Sequence, residues 1–185
     1  MNRGHGAGGA GTNKNGLPYE ALTDLTTHFN EVTSEKTCKQ IHFHQYPDFT
    51  YSYCLQAQVL KMMEAKGHLD TNVPMAHGCK RPDECIVDEK HSIVFIIEKK
   101  FQEVSGSLCE KIQTGSFKLD HYKRLFPKLK VVYLYCLSDW FKTNCVAELE
   151  YLKKENIPVF YGNDEDYKNK LIQFITKTSM ENAVL

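Results

Sequence analysis

The sequence predicts an α/β domain in which a mixed central β-sheet is flanked by helices. Three observations carry that expectation. Two runs rich in apolar and β-branched residues, 82–88 (PDECIVD) and 92–100 (SIVFIIEKK), are separated only by the polar stretch Glu89-Lys90-His91, as in a strand hairpin. A strongly apolar run, 129–137 (LKVVYLYCL), follows after a segment with helical character. From there to the end of the sequence, helical patterns alternate with a short apolar run, as helices packed against a sheet require.

Taken in order, residues 1–16 (MNRGHGAGGAGTNKNG) hold six of the eleven glycines and read as a flexible segment, leaving 17–185 as one domain. A helix is expected from Pro18, with proline in its first turn and Tyr19, Leu22, Leu25, Thr26 and Phe29 along one side. Residues 40–54 are aromatic and partly alternating, which suggests a strand or an irregular segment. Residues 55–67 read as a helix ended by Gly67, and 68–80 as a loop. After the hairpin, 106–126 is mostly helical with an irregularity at Gly115. Ser138 or Asp139 can cap a helix over 139–156. A further strand is expected at 157–162 and a closing helix at 164–176. No internal repeat or interdomain linker interrupts the pattern.

Lys plus Arg equals Asp plus Glu, 23 of each, so the formal net charge is zero. A nucleic-acid partner is neither favoured nor excluded by that balance, since acids can cluster at a metal site while bases cluster in a groove. No apolar run approaches the roughly 20 residues of a membrane span, and the polar N-terminus lacks the apolar core of a secretory signal, so no membrane association is expected. Seven cysteines stand at 38, 54, 79, 85, 109, 136 and 145. Their odd number, the lack of any CxxC pair and their apolar surroundings read as reduced thiols of a cytoplasmic protein. Cys38, His42, His44 and Cys54 could bind zinc, but their spacing fits no common zinc module, and a strand with its flanks is the plainer reading.

The hairpin carries the chemistry. A turn centred on Lys90 and His91 sets Asp83 directly opposite Glu98, and opposed residues have Cβ atoms about 4.5–5.5 Å apart. Two carboxylates so close repel each other unless a cation lies between them. Side chains alternate along a strand, so Glu98 and Lys100 share a face. Hard oxygen ligands of this kind suit Mg²⁺, which takes one or two carboxylates and keeps several waters. The ion can polarise a phosphoryl oxygen and lower the pKa of a bound water. A lysine beside it can orient or deprotonate that water and offset transition-state charge. These parts fit phosphodiester hydrolysis; a solvated hairpin end with an ordinary salt bridge is the plain alternative.

Residues 81–118 (RPDECIVDEKHSIVFIIEKKFQEVSGSLCEKIQTGSFK) resemble the catalytic region of PD-(D/E)XK nucleases, and more narrowly type II restriction endonucleases. Pro82-Asp83 matches the PD pair and Glu98-Lys99-Lys100 the ExK triplet. The likeness covers about 80–137 well, the N-terminal patch GGAGTNKNGLPYE moderately, and 32–75 hardly at all. The resemblance implies a restriction-endonuclease-like core that cuts double-stranded DNA with Mg²⁺. Asp83 and Glu98 would then bind the metal and Lys100 would position the attacking water. Glu20, on the first helix, matches an extra acid that such nucleases often place beside the metal, though an exposed helical Glu reads equally well. Gln113, with Phe117 four residues on, resembles the Gln-x-x-x-Tyr element of RecB-like nucleases, with Phe in place of Tyr. Thr12, Asn13 and Lys14, and Lys80 and Arg81 before the PD pair, are candidate phosphate contacts. His77 reads as a loop histidine. A palindromic target would call for a homodimer. A structure-specific repair or recombination nuclease, and a catalytically inactive nuclease fold that binds DNA, are the alternatives.

Overall fold

The computed structural model describes residues 17–35, 38–103 and 108–182; Thr12, Asn13, Lys14 and the rest of 1–16 lie outside the described residues. One sheet of seven strands runs through it, with spatial order equal to chain order. The strands are β1 (Phe29–Ser34), β2 (Lys39–Phe43), β3 (Tyr46–Leu55), β4 (Glu84–Asp88), β5 (Ile93–Lys100), β6 (Lys130–Leu137) and β7 (Val159–Tyr161). β1 to β5 form an antiparallel meander, and β5, β6 and β7 are parallel. Parallel neighbours need crossover connections, and helices supply them. α3 (Leu108–Ile112) and α4 (Gly115–Leu125) link β5 to β6, and α5 (Trp140–Asn144) and α6 (Val146–Lys154) link β6 to β7. α1 (17–22), α2 (Ala57–Ala65) and α7 (Tyr167–Asn182) complete the fold. The expected mixed sheet flanked by helices is therefore present.

Both faces of the central strands are buried, which is why β5 reads as an unbroken apolar run. Val94 and Ile96 face Met62 and Met63 of α2, Tyr122 and Leu125 of α4 and Leu152 of α6. Ile93, Phe95 and Ile97 face the opposite layer, with Tyr19 of α1 and Leu171, Ile172 and Ile175 of α7. The hairpin register runs from Asp88 opposite Ile93 to Glu84 opposite Ile97, as the turn at Lys90-His91 predicts. Asp88 closes that turn by accepting from the His91 backbone N–H at 3.0 Å and pairing with its Nδ1 at 2.7 Å.

The first half is richer in strand than the sequence suggested. The helix expected along Tyr19–Phe29 stops at residue 22, because Asp24 turns the chain by accepting from the Thr26 N–H at 2.6 Å. A 3₁₀ turn, Thr26–His28, follows, and Phe29 opens β1. The aromatic stretch 40–54 resolves into two strands joined at His44 and Gln45. The α2 segment ends as expected, with Gly67 at φ 69°. The expected helix over 106–126 is two helices, and Gly115 begins the second. A Cβ there would lie 2.9 Å from Leu152 Cδ2 and 3.1 Å from Tyr135 Cε2, so glycine lets α4 approach β6 and α6.

The expected cap at 138–139 is not made. Ser138 Oγ instead donates to the Gln102 carbonyl at 2.8 Å and accepts from its N–H at 3.0 Å. Asp139 occupies the N-cap position of α5 with no side-chain cap bond. The helix itself breaks at Cys145, which is joined to Cys109 by a disulfide. That corrects the expectation of seven reduced thiols; Cys38, Cys54, Cys79, Cys85 and Cys136 are free and buried. Among the described residues no zinc set gathers around Cys38 and Cys54; His42 bonds Thr50 at 2.9 Å and His44 bonds Asn30 at 3.2 Å. Among the described residues no helix is long and apolar enough to cross a membrane.

Candidate active site

The open end of the β4–β5 hairpin gathers the candidate residues. Asp83 stands just before β4, and its Oδ2 accepts the backbone N–H of Lys99 at 2.7 Å. That bond extends the hairpin by one step and holds Asp83 beside Glu98. Glu98 continues the Val94–Ile96 face of β5, towards α4. Lys100, two residues on, folds back, and its Nζ donates to Glu98 Oε1 at 2.7 Å and to the Lys99 carbonyl at 2.9 Å. The same Nζ lies 3.9 Å from Asp83 Oδ2, so one ammonium sits between the two carboxylates. Asp83, Glu98 and Lys100 are thus brought together as the strand alternation predicts.

Lys118 of α4 was not anticipated. Its Nζ also donates to Glu98 Oε1, at 2.8 Å. The signal was present in the helix pattern. Gly115, Tyr122 and Leu125 form the buried stripe of α4, and Lys118 falls on that stripe at helical spacing. A lysine aimed at a sheet needs an acid partner. Burial works to raise the Glu98 carboxyl, but Lys100 and Lys118 outweigh it and hold the group below its ordinary range. Asp83 goes the other way: burial raises its carboxyl, Lys100 opposes, and the neighbouring charges of Glu98 and Glu20 add to the rise. Glu98 Oε2 is buried with no hydrogen-bond partner among the described residues.

These features fit a hard cation. Glu98 keeps one carboxylate oxygen without a hydrogen-bond partner among the described residues, and the side chain of Asp83, held to the same Lys100, keeps 27% exposure and so admits the waters that Mg²⁺ retains. Glu20 is exposed on α1 and shares with Asp83 a cavity of about 570 Å³. It does not close a three-carboxylate cage. Among the described residues only Cys109, Cys145 and Glu148 bring three such ligand atoms within 4.8 Å of one another, and there the two sulfurs are bonded to each other.

A second ion pair lies on the other face. Lys99 Nζ donates to Glu84 Oε1 at 2.6 Å and to the Thr23 carbonyl at 3.3 Å, and Tyr53 Oη donates to the same Glu84 oxygen at 3.3 Å. Burial pushes the Glu84 carboxyl up, with Lys99 working against it.

The remaining candidates stand apart. Lys80 and Arg81 are exposed on the approach to Asp83 and form no ion pair among the described residues. Gln113 is turned to α6, where its amide donates to Glu148 at 3.0 Å, and Phe117 stacks on His121. Among the described residues neither is joined to the cluster by a hydrogen bond or ring contact. His77 is exposed in a 3₁₀ turn. No protein-family model matches the chain, and no curated protein or solved structure is significantly similar to it.

Proposed function

We propose that the chain is a Mg²⁺-dependent endonuclease that hydrolyses phosphodiester bonds of double-stranded DNA, in the manner of a type II restriction endonuclease. One observation carries it: a single ammonium, Lys100 Nζ, stands 2.7 Å from Glu98 and 3.9 Å from Asp83, with the second Glu98 oxygen buried and without a hydrogen-bond partner among the described residues. Asp83 and Glu98 would hold the metal, with Glu20, whose charge acts on Asp83 across the shared cavity, as a further acid. When bound, Mg²⁺ supplies a polarised phosphoryl oxygen and a water of lowered pKa.

The chain's own groups do the rest. Lys118 keeps Glu98 ionised, so that the carboxylate meets a cation rather than a proton. The Lys99 N–H fixes Asp83. Lys100, tethered at the Lys99 carbonyl, presents its ammonium where an attacking water and a phosphoryl oxygen would lie, orienting the one and offsetting charge on the other. Lys80 and Arg81 are available to DNA phosphates. The reading implies a cytoplasmic enzyme and, for a palindromic target, a homodimer.

The test is digestion of a plasmid of known sequence. With Mg²⁺, discrete and reproducible fragments are expected, because each wrong base pair costs a sequence-reading protein about 1–3 kcal/mol; with chelator, none. Random nicking, or cleavage confined to branched DNA, would make it a structure-selective nuclease. A folded protein that binds DNA and cuts none under any divalent metal would sink the enzyme reading.

A further inference from the structure

The disulfide between Cys109 and Cys145 has a third group beside it. Cys109 Sγ, Cys145 Sγ and a Glu148 carboxylate oxygen all lie within 4.8 Å of one another, and no other three ligand atoms of His, Cys, Asp or Glu come as close among the described residues. Local structure sets them there. Cys145 occupies the N-cap position of α6 and Glu148 follows three residues on, so sulfur and carboxylate share one side of the first helical turn. Cys109, in α3, approaches from the crossover between β5 and β6, and its Sγ lies 3.4 Å from the Asn144 carbonyl oxygen. Glu148 is oriented by Gln113, whose amide donates to Oε1 at 3.0 Å, while the other carboxylate oxygen has no hydrogen-bond partner among the described residues.

A reducing compartment holds such a pair as two thiols. Opening the S–S bond takes two electrons and two protons from a dithiol reductant, which itself becomes a disulfide. Two sulfurs and a carboxylate then stand together at the N-terminal end of a nine-residue helix, whose dipole favours negative charge. With both thiols ionised the three anions repel one another, and a divalent cation removes that repulsion. The donor set selects the cation. Mg²⁺ takes oxygen ligands and leaves thiolates alone. Cu(I) prefers sulfur throughout, and iron–sulfur clusters ordinarily take four cysteines. Two sulfurs with one carboxylate oxygen suit Zn²⁺, which accepts both kinds of ligand in a tetrahedral shell. With Zn–S bonds of about 2.3 Å, the sulfurs of such a shell stand about 3.8 Å apart. Cα atoms 5.6 Å apart allow that separation once the bond between the sulfurs is open.

We propose that Cys109, Cys145 and Glu148 form a zinc site in the reduced protein, with water in the fourth position and Gln113 positioning the carboxylate. Zn²⁺ takes the place of the two thiol protons, which pass to solvent. Water reaches the ion because Cys109 and Glu148 are only partly buried. The ion then does what the disulfide does in the oxidised protein: it ties α3 to the α5–α6 junction. The crossover so tied continues into α4, which carries Lys118 to Glu98. The zinc site shares no residue with the Asp83–Glu98 cluster and does not rest on the nuclease reading.

The test uses the full chain, reduced with a phosphine and kept free of oxygen, and Co²⁺ as a spectroscopic substitute for zinc. Stoichiometric Co²⁺ should bring up the near-ultraviolet sulfur-to-cobalt charge-transfer band together with the visible bands of a tetrahedral ion, and added Zn²⁺ should bleach both. The oxidised chain should show neither. Co²⁺ held by carboxylates alone, as at Asp83 and Glu98, gives no sulfur band, so the two sites are told apart without reading cleavage. Cys109→Ser, at a partly buried position, should lower the sulfur band to that of one thiolate or abolish it. Glu148→Ala, which leaves both cysteines in place, should weaken Co²⁺ binding by at least about tenfold, the loss that even an outer partner's removal brings. Zn²⁺ should also raise the melting temperature of the reduced parent more than that of reduced Cys109→Ser, since only a ligand bound to the folded state stabilises it. A reduced chain with no sulfur band would overturn the proposal. So would a band of full strength in Cys109→Ser, which would put the metal on other cysteines, or an unchanged affinity in Glu148→Ala.

Discussion

Lys99 and Lys100 are neighbours in β5, yet each serves a different face of the sheet and a different glutamate. On one face Lys100 and Lys118 converge on Glu98; on the other Lys99 and Tyr53 hold Glu84. The number of lysines and the depth of burial together decide the outcome. Two ammonium groups overcome the burial of Glu98 and bring its carboxyl down, whereas one ammonium leaves burial dominant at Glu84, whose carboxyl rises. The same kind of pair therefore yields an ionised carboxylate in one place and an interior brace in the other. A buried ion pair by itself says little about function; what distinguishes the Glu98 face is the second lysine and the nearby, partly open Asp83.

The largest expected effect tests that division. Asp83→Ala, Glu98→Ala and Lys100→Ala should each lower turnover by roughly 10²–10⁴-fold or more while circular dichroism shows an intact fold. Near-wild-type cleavage by any folded member of the three would remove it from the chemistry.

Lys99→Met should behave in the opposite way. It strands Glu84 in the interior, and breaking one partner of a buried pair costs about 3–5 kcal/mol of stability. Chemical denaturation should show that loss, and the double variant Lys99→Met/Glu84→Leu should recover most of it. A fully stable Lys99→Met single variant would mean that the second face is not a brace.

The two carboxylates should also give stability profiles of opposite sign. A folded-state carboxyl held low contributes stability above its unfolded pKa and loses it as pH falls through the folded value. Glu98 is of that type, so Lys118→Met should move the acid limb of the thermal-stability curve to higher pH. Glu84 is of the raised type. Its contribution is present below the unfolded pKa and lost as pH rises through the folded value, so Glu84→Gln should flatten the loss on the alkaline side. Differential scanning calorimetry across about pH 3–8 reads both. Identical shifts for the two variants would contradict the assigned directions.

How far these two faces could be read in advance depended on local pattern. The β4–β5 register was legible because the polar turn and two apolar runs leave one pairing that buries both strands. The alternation rule then put Glu98 and Lys100 together. Lys99 was equally bound to face the other way, but its partner Glu84 hid beside the PD pair, where attention falls on Asp83. β1 was missed because five of its six residues are exposed, leaving no apolar alternation to read. The disulfide between Cys109 and Cys145 spans 36 positions and depends on how α3 meets the α5–α6 junction, which no local pattern encodes. Lys118 required knowing that the buried stripe of α4 faces the end of β5.

The smallest effect is expected at Glu20, which joins the two regions: it lines the cavity beside Glu84 while its charge reaches Asp83. It is exposed and forms no ion pair among the described residues, so Glu20→Ala should leave thermal stability within about 0.5 kcal/mol of the parent. If it assists the metal from outside the Asp83–Glu98 pair, the variant should cut DNA more slowly at limiting Mg²⁺ and recover at high Mg²⁺, since mass action restores occupancy. Removing the same charge also relieves Asp83 of a repelling neighbour, which by itself would favour ionised Asp83 and work against the loss. The Mg²⁺ titration separates these contributions. A curve displaced to higher Mg²⁺ with an unchanged plateau assigns Glu20 to metal capture, and superimposed curves return it to an ordinary exposed glutamate on α1.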